Sequence, residues 1–533
     1  MLGERLYLYD TTLRDGAQTQ GVDFTAEDKR AIAEALDRLG IDYIEGGWPG
    51  ANPIDDRFFA DKLDLKTAKL AAFGMTRRSG RSAANDPGLA ATLGAGAPVA
   101  TLVGKTSEFH VTVALGDALD ENLAMIVESV AHARTKSEEV VFDAEHFFDG
   151  WKANRAYALA CLAAAHKAGA RWLVLCDTNG GTLPHEIDEI VRDTATRVPA
   201  EKLGIHCHDD TGNAVANSLA AVRAGARMIQ GTLNGLGERC GNANLVTLIP
   251  TLILKMGFST GIDADGLRHL AQVSHLLDER LNRAPVRQAP YVGDSAFAHK
   301  GGLHASAVEK DPRAYEHIDP SIVGNRRHVV VSDQAGRSNL LARFREIGLD
   351  VAGDDPRLPT LIDQVKARES QGYAYDGAEA SFELMARRAF GQVPDYFSVK
   401  RFRVMDERRF NARGDLVTES EATVTLGVGA TLHHEVAMGN GPVNALDTAM
   451  RKALGGLYPI LDQLRLVDYK VRILTPSGGT NAVTRVMIES ADSGGRRWNT
   501  VGVSPNIIDA SLDALSDSIS WKLMTAGATV GAP

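Results

Sequence analysis

Short apolar runs separated by amphipathic stretches recur eight times along the first half of the chain, and this rhythm restricts the fold more than any other feature. The runs are Leu6–Tyr9, Ile41–Ile44, Lys69–Phe73, Val99–Val103, Val140–Phe142, Trp172–Cys176, Leu203–His206 and Met228–Gly231. Helical patterning lies between them, as at Thr25–Leu39, Leu119–Ala133, Asn154–Ala168, Pro184–Arg197 and Asn213–Ala224. The first of these helices opens with Thr25 three residues before Asp28, a capping signal, and stops at Gly40. Eight strand–helix units within about 255 residues match the length and rhythm of a closed (β/α)8 (TIM) barrel. An open doubly wound sheet is the alternative.

The placement of polar chemistry favours the barrel, because barrels build their sites from the loops that follow the strands. Asp10-Thr11-Thr12-Leu13-Arg14-Asp15-Gly16 follows the first run, Glu45 the second and Lys105 the fourth. Asp143 and Glu145 follow the fifth, Asp177-Thr178-Asn179-Gly180 the sixth, and Gly235-Leu236-Gly237-Glu238-Arg239-Cys240-Gly241-Asn242 the eighth. The seventh ends in His206-Cys207-His208. Side chains alternate along a strand, so His206 and His208 share a face. Neutral imidazoles there form half of a divalent-metal site, or a hydrogen-bonded pair at a surface turn. The glycines at 235, 237 and 241 do not fit a dinucleotide-binding GxGxxG, and no GxxxxGK[ST] phosphate loop is present.

At 533 residues the chain exceeds a single core and implies several domains. No apolar run approaches a membrane span, and the N-terminus enters a strand without a secretory pattern, so a cytoplasmic protein is expected. Cys161, Cys176, Cys207 and Cys240 form no CxxC pair, in keeping with a reducing compartment. The net charge of −10 argues against nucleic acid as a partner. The expected domains are the barrel at 1–260, a helical accessory subdomain at 261–395, and a C-terminal α+β domain at 396–533. Period-two alternation (Phe397 to Val404, Ala422 to Val428, Val471 and Ile473, Val486 and Ile488, Val501 and Val503) marks the last of these. Residues 263–283 read as one helix, and His433-His434 as surface.

Four separated motifs occur in order: DTTLRDG at 10–16, HCHDDTGNAVANS at 206–218, GLGERCGNA at 235–243 and FAHKGGLHASAV at 297–308. Through them the chain resembles the 2-isopropylmalate, homocitrate and citramalate synthases, the acyl-CoA-condensing branch of a metal-dependent barrel superfamily. Its C-terminal domain is similar to that family's regulatory domain. The stretch Ile44-Glu45-Gly46-Gly47-Trp48-Pro49-Gly50-Ala51-Asn52-Pro53 is most similar to the citramalate-forming members, because the isopropylmalate-forming ones usually carry Phe-Pro where Trp48-Pro49 stands.

The resemblance implies a Claisen-type condensation of acetyl-CoA with pyruvate. It implies a divalent metal (Mn2+, Mg2+ or Zn2+) held by Asp15, His206 and His208, with Asn242 completing or bordering the shell. Arg14 would stabilise the developing alkoxide, and Gln18 and Thr178 would hold the oxo acid. Glu45 either orients Arg14 or is a surface acid. His304 corresponds to the family's catalytic histidine, Glu145 to its carboxylate partner and Tyr315 to the tyrosine that follows. In the family this segment reaches into the neighbouring barrel, which implies action in trans and a homodimer. An isoleucine effector would bind the C-terminal domain; Pro476-Ser477-Gly478-Gly479-Thr480 is either its contact or an ordinary turn. The competing readings are an isopropylmalate or homocitrate synthase, a lyase running the reverse cleavage, and a non-catalytic amino-acid sensor that kept the barrel as scaffold.

Overall fold

A computed structural model describes residues 3–61, 63–281, 283, 285–299, 302–329 and 337–531. Eight parallel strands close into a barrel in sequence order: β1 (Tyr7–Asp10), β2 (Tyr43–Gly47), β3 (Lys69–Met75), β4 (Val99–Lys105), β5 (Glu139–Glu145), β6 (Trp172–Asp177), β7 (Leu203–Cys207) and β8 (Met228–Gly231). The last strand pairs with the first, from Tyr7 opposite Met228 to Asp10 opposite Gly231. Around them run α1 (Ala26–Leu39), α2 (Pro53–Ala60), α3 (Pro87–Gly94), α4 (Leu119–Ala133), α5 (Phe147–Ala168), α6 (Pro184–Ala195), α7 (Ala214–Ala224) and α8 (Leu245–Pro250). The (β/α)8 barrel read from the sequence is therefore the fold, and the open sheet is excluded.

Local sequence explains the boundaries. Thr25 accepts the Asp28 N–H while the Asp28 carboxylate accepts the Thr25 N–H, a complete capping box, and α1 ends at Gly40 with φ 99°. α5 starts earlier than its periodicity indicates, at Phe147, and is kinked at Asn154 (φ −145°), which is where the regular pattern begins. The single helix expected over 263–283 is two, α9 (Ala264–Leu267) and α10 (Leu270–Arg280). Asp263 caps the first by accepting from the Gly266 N–H.

The barrel has two apolar layers. Leu6, Leu8, Ile44, Phe142, Leu173, Leu175 and Ile205 face the helices, whereas Tyr9, Tyr43, Ala71, Val99, Val141, Trp172, Val174, Cys176 and Met228 fill the interior. Tyr9 stacks on Tyr43 at 5.6 Å and Tyr7 meets Trp172 at 5.1 Å. These aromatic rings fill the lower interior of the barrel, and barrels of this kind build their sites at the C-terminal rim.

The chain divides into two compact units, one of residues Met1–Phe297 and Ile318–Arg327, the other of Ala298–His317 and His328–Pro533. The second unit contains the short pair β9 (Ala298–His299) and β10 (His328–Val329), and α11 (Gly302–Lys310) between them in sequence. Three helices follow, α12 (Arg337–Glu346), α13 (Leu358–Ser370) and α14 (Glu379–Ala389), packed around Leu340, Phe344, Leu361 and Phe382. Two antiparallel three-stranded sheets complete it: β11 (Ser398–Phe410), β12 (Leu416–Val428) and β13 (Thr431–Gly439), then β14 (Arg465–Ile473), β15 (Thr484–Ala491) and β16 (Arg497–Ser504). Helix α15 (Pro442–Gly455) and helix α16 (Ile507–Thr525) share their buried core. β13 carries His433 and His434 and has no clear sequence signal, because most of its residues stay at least partly exposed. Among the described residues no helix is long and apolar enough to cross a membrane.

Candidate active site

The turn after β1 is built by its own side chains. Asp10 accepts from the Thr12 N–H at 2.9 Å and the Thr12 hydroxyl at 2.8 Å, and Thr12 Oγ1 accepts the Leu233 N–H at 2.8 Å. The first and last loops of the barrel are thereby joined, and Arg14 and Asp15 are placed at the rim. Burial pushes the Asp10 carboxyl up to about 7 despite the hydrogen bonds from Thr12.

Arg14 donates from Nε to Glu45 Oε2 at 2.7 Å and lies 3.2 Å from Asp15 Oδ2. Its guanidinium carbon sits 4.1 Å above the centre of the Phe73 ring, and Phe73 meets Trp48 edge-on at 5.4 Å. Glu45 is fully buried and its other oxygen accepts the Tyr9 hydroxyl at 3.0 Å, so it is not a surface acid. Burial alone would lower the pKa of Arg14, but the Glu45 and Asp15 carboxylates outweigh it and hold the guanidinium charged. Below the loop, Lys29 donates to the Gly46 carbonyl and pairs with Asp55, which accepts the Trp48 N–H at 2.8 Å. A buried ion pair thus fixes the Trp48 backbone.

Asp15, His206 and His208 converge, with all three candidate ligand atoms within 4.8 Å of one another and all three residues buried. His206 Nε2 lies 3.4 Å from Asp15 Oδ2 and 3.3 Å from His208 Nε2. Asp15 Oδ1, His208 Nδ1 and both amide atoms of the adjacent buried Asn242 have no hydrogen-bond partner. Buried polar atoms are rarely left so. A mixed nitrogen and oxygen donor set with unmet valence fits a divalent cation. Burial would raise Asp15, but Arg14 and His206 hold its carboxyl well below the usual range. Burial and the neighbouring His206 push His208 down to about 3, which keeps it neutral.

His206 is held from behind by Gln230 on β8, 2.8 Å from Nδ1, and Gln230 donates to Asp143 Oδ1 at 2.9 Å. Burial, reinforced by Glu45, pushes Asp143 up to about 7. Gln230 was not legible in the sequence; its only signal is a polar residue in an otherwise apolar strand. Asn242 is brought beside His208 by a tight return, for which Gly241 (φ 98°) is required: a Cβ there would lie 2.0 Å from the Gly235 carbonyl oxygen.

The remaining residues are arranged less tightly. Glu145 ends β5 and pairs with Lys105 at 2.5 Å. Thr178 Oγ1 accepts the N–H of His146, which adopts a left-handed φ of 57°, at 2.8 Å. The Thr178 carbonyl is held by Arg239, itself paired with Asp210 at 2.7 Å. Gln18 is exposed at the end of the 3-10 turn Gly16–Gln18. His304 and Tyr315 belong to the second unit, where their rings lie 4.2 Å apart. There His299 Nε2 also meets Glu316 Oε1 at 3.1 Å. Lys300 and Gly301 of the FAHKGGLHASAV motif lie outside the described residues.

Residues 5–273 match the HMGL-like family, residues 291–372 the homocitrate synthase post-HMGL domain-like family, and residues 376–523 the LeuA allosteric (dimerisation) domain. The chain therefore belongs to the HMGL-like family, and within it to the group of (R)-citramalate synthases. It is 53% identical to (R)-citramalate synthase of Aquifex aeolicus, covering 98% of both chains. To the enzyme of the same name from Geobacter sulfurreducens it is 50% identical, covering 97% of both. The 2-isopropylmalate synthase of Methanocaldococcus jannaschii is 29% identical, with 97% of this chain and 94% of that one covered.

Proposed function

We propose that the chain condenses acetyl-CoA with pyruvate to give (R)-citramalate and free CoA. The single observation that carries the chemistry is the buried Arg14 guanidinium, anchored by Glu45 and set directly beside the Asp15–His206–His208 donor cluster. The full-length identity to (R)-citramalate synthases, against 29% to an isopropylmalate-forming relative, favours pyruvate as the oxo acid.

In the reaction a methyl proton leaves the acetyl group, its carbon bonds to the keto carbon of pyruvate, and the keto oxygen becomes an alkoxide and then a hydroxyl. Water cleaves the thioester and CoA leaves as the thiol. A divalent cation (Mn2+, Mg2+ or Zn2+) on Asp15, His206 and His208, with Asn242 beside it, supplies Lewis acidity toward the oxo acid. Arg14 offers a permanent cation to the oxygen as it gains charge, and its anchored geometry needs no rearrangement at that moment. Thr178 accepts from the His146 N–H through Oγ1, so its own proton is free to donate to the substrate carboxylate. Gln18, exposed at the end of its turn, is the outermost contact to that carboxylate.

His304 takes the methyl proton, with Tyr315 against its ring and Glu145 as the carboxylate that balances the imidazolium. For that, Glu145 shares its charge with Lys105, its partner at 2.5 Å. The pair His304 and Tyr315 acts on the partner subunit's barrel in a homodimer, and the C-terminal domain binds isoleucine as effector; the match to an allosteric dimerisation domain supports both. Mixed dimers of Arg14→Ala and His304→Ala chains then regain activity that neither variant has alone.

The deciding experiment is thiol release from acetyl-CoA with Mn2+, offering pyruvate, 2-oxoisovalerate and 2-oxoglutarate separately. Release with pyruvate alone, suppressed by isoleucine, is expected. Release with 2-oxoisovalerate instead would keep the mechanism and reassign the substrate. No release with any oxo acid would leave an amino-acid sensor built on an inactive barrel.

A further inference from the structure

Gln230 is wholly buried on β8, and its amide bridges two groups of opposite character. Oε1 lies 2.8 Å from His206 Nδ1, and Nε2 donates to Asp143 Oδ1 at 2.9 Å. A primary amide has one accepting end and one donating end. Nε2 is spent on Asp143 Oδ1, which leaves Oε1 for the imidazole. An oxygen facing Nδ1 requires a proton on that nitrogen, and a neutral ring then carries its lone pair on Nε2. Nε2 is the atom that faces Asp15 Oδ2 and His208 Nε2. Packing alone does not require a polar residue here: the neighbours Met228 and Ile229 are fully buried apolar side chains.

We infer that Gln230 is a positioning residue that sets the tautomer of His206 for cation binding, with Asp143 fixing the direction of the amide. This rests on the reading of Asp15, His206 and His208 as a cation site. The sense of the relay is one-way: Asp143 orients Gln230, Gln230 Oε1 accepts from the Nδ1–H at the rear of His206, and the front nitrogen is free to bind. His208 has no such support, because its Nδ1 is unpartnered. The two imidazoles are therefore unequal, one preset and one that settles only when the cation arrives.

The test uses full-length protein and the metals alone, with Mn2+ affinity read by electron paramagnetic resonance and Co2+ coordination by its visible absorption band. Gln230→Leu should weaken Mn2+ binding about 10- to 100-fold and change the Co2+ band. Asp143→Asn lets the amide pair in either direction and should weaken binding by less. The double variant Gln230→Glu with Asp143→Asn reverses donor and acceptor between the two positions, keeps an acceptor for His206 Nδ1–H, and should restore both readouts. Unfolding midpoints show which variants are folded. Should Gln230→Leu not fold, the comparison of Asp143→Asn with the double variant decides alone. Wild-type Mn2+ affinity and Co2+ band in every folded variant would overturn the inference, and so would a folded double variant that binds no better than Asp143→Asn. Absence of Mn2+ and Co2+ binding by the wild type would overturn the cation reading itself, a different result.

Discussion

Arg14 donates to Glu45 at 2.7 Å, and the Glu45 side chain has no exposed surface while that of Arg14 is 12% exposed. The pair is an arginine held in place by an acid that is itself anchored on the barrel's interior tyrosine. Glu45→Gln keeps the shape and removes the counter-charge. Turnover should fall on the order of 10²-fold, as when a fixed donor to a developing oxyanion is disturbed. Steady-state thiol release with pyruvate checks this; unchanged turnover would make the pair structural only.

Cation binding by the folded barrel stabilises it by mass action, by about 2.7 kcal/mol at a hundredfold excess over Kd. Adding Mn2+ should raise Tm, a chelator should reverse the shift, and Asp15→Asn should abolish it. A Tm indifferent to Mn2+ in the wild type would remove the cluster as a cation site.

The barrel and its polar rim were legible in the sequence because both follow from repetition, eight strand–helix units each delivering polar residues to the same end. The grouping of Arg14 and Asp15 with His206 and His208 came instead from the resemblance of the motifs at 10–16 and 206–218. The Thr25 capping box was legible for a local reason, a side chain bonding a backbone three residues on. Glu45 was ambiguous because a strand sequence does not say which face meets an arginine from another loop. Gln230 and Asp143 were silent as a pair, since their relation crosses the barrel from β8 to β5. The part of α5 before Asn154 escaped notice because the regular pattern begins only after the kink, and the break between α9 and α10 because helical patterning resumes on its far side.

Asp10 predicts a pH dependence. Its carboxyl is raised by burial to about 7, whereas an unfolded aspartate titrates near ~4. Between those values the native state holds a proton that the unfolded chain has released. Stability is therefore fully present below the unfolded pKa and is lost as the pH rises through the native one, by an upper bound on the order of 4 kcal/mol. Asp10→Asn cannot ionise, so its Tm should gain on that of the wild type between pH 5 and pH 8. A gap that does not change with pH would mean that Asp10 is ionised throughout.

Trp48 packs against the ring that carries Arg14. Trp48→Ala removes bulk from that wall and should shift the ratio of kcat/KM for pyruvate over 2-oxoisovalerate on the order of tenfold toward the larger oxo acid. If both substrates decline in parallel, the tryptophan supports Phe73 without selecting.

Lys29 is 3% exposed and Asp55 5%. Lys29→Met strands a buried carboxylate and should cost about 3–5 kcal/mol. Chemical denaturation measures it, and a loss below about 1 kcal/mol would mean that water reaches Asp55.

The pairing of β1 with β8 has a consequence for biosynthesis. Asp15 leaves the ribosome early, whereas His206, His208 and Asn242 follow only with the final two strands. On the proposed site, a growing chain offers a cation only Asp15 of the three clustered donors until β7 has been made. Metal capture at that site would thus be deferred to the late stage of barrel assembly, and a fragment that stalls short of β7 would lack the two imidazoles by which it could pass for finished enzyme.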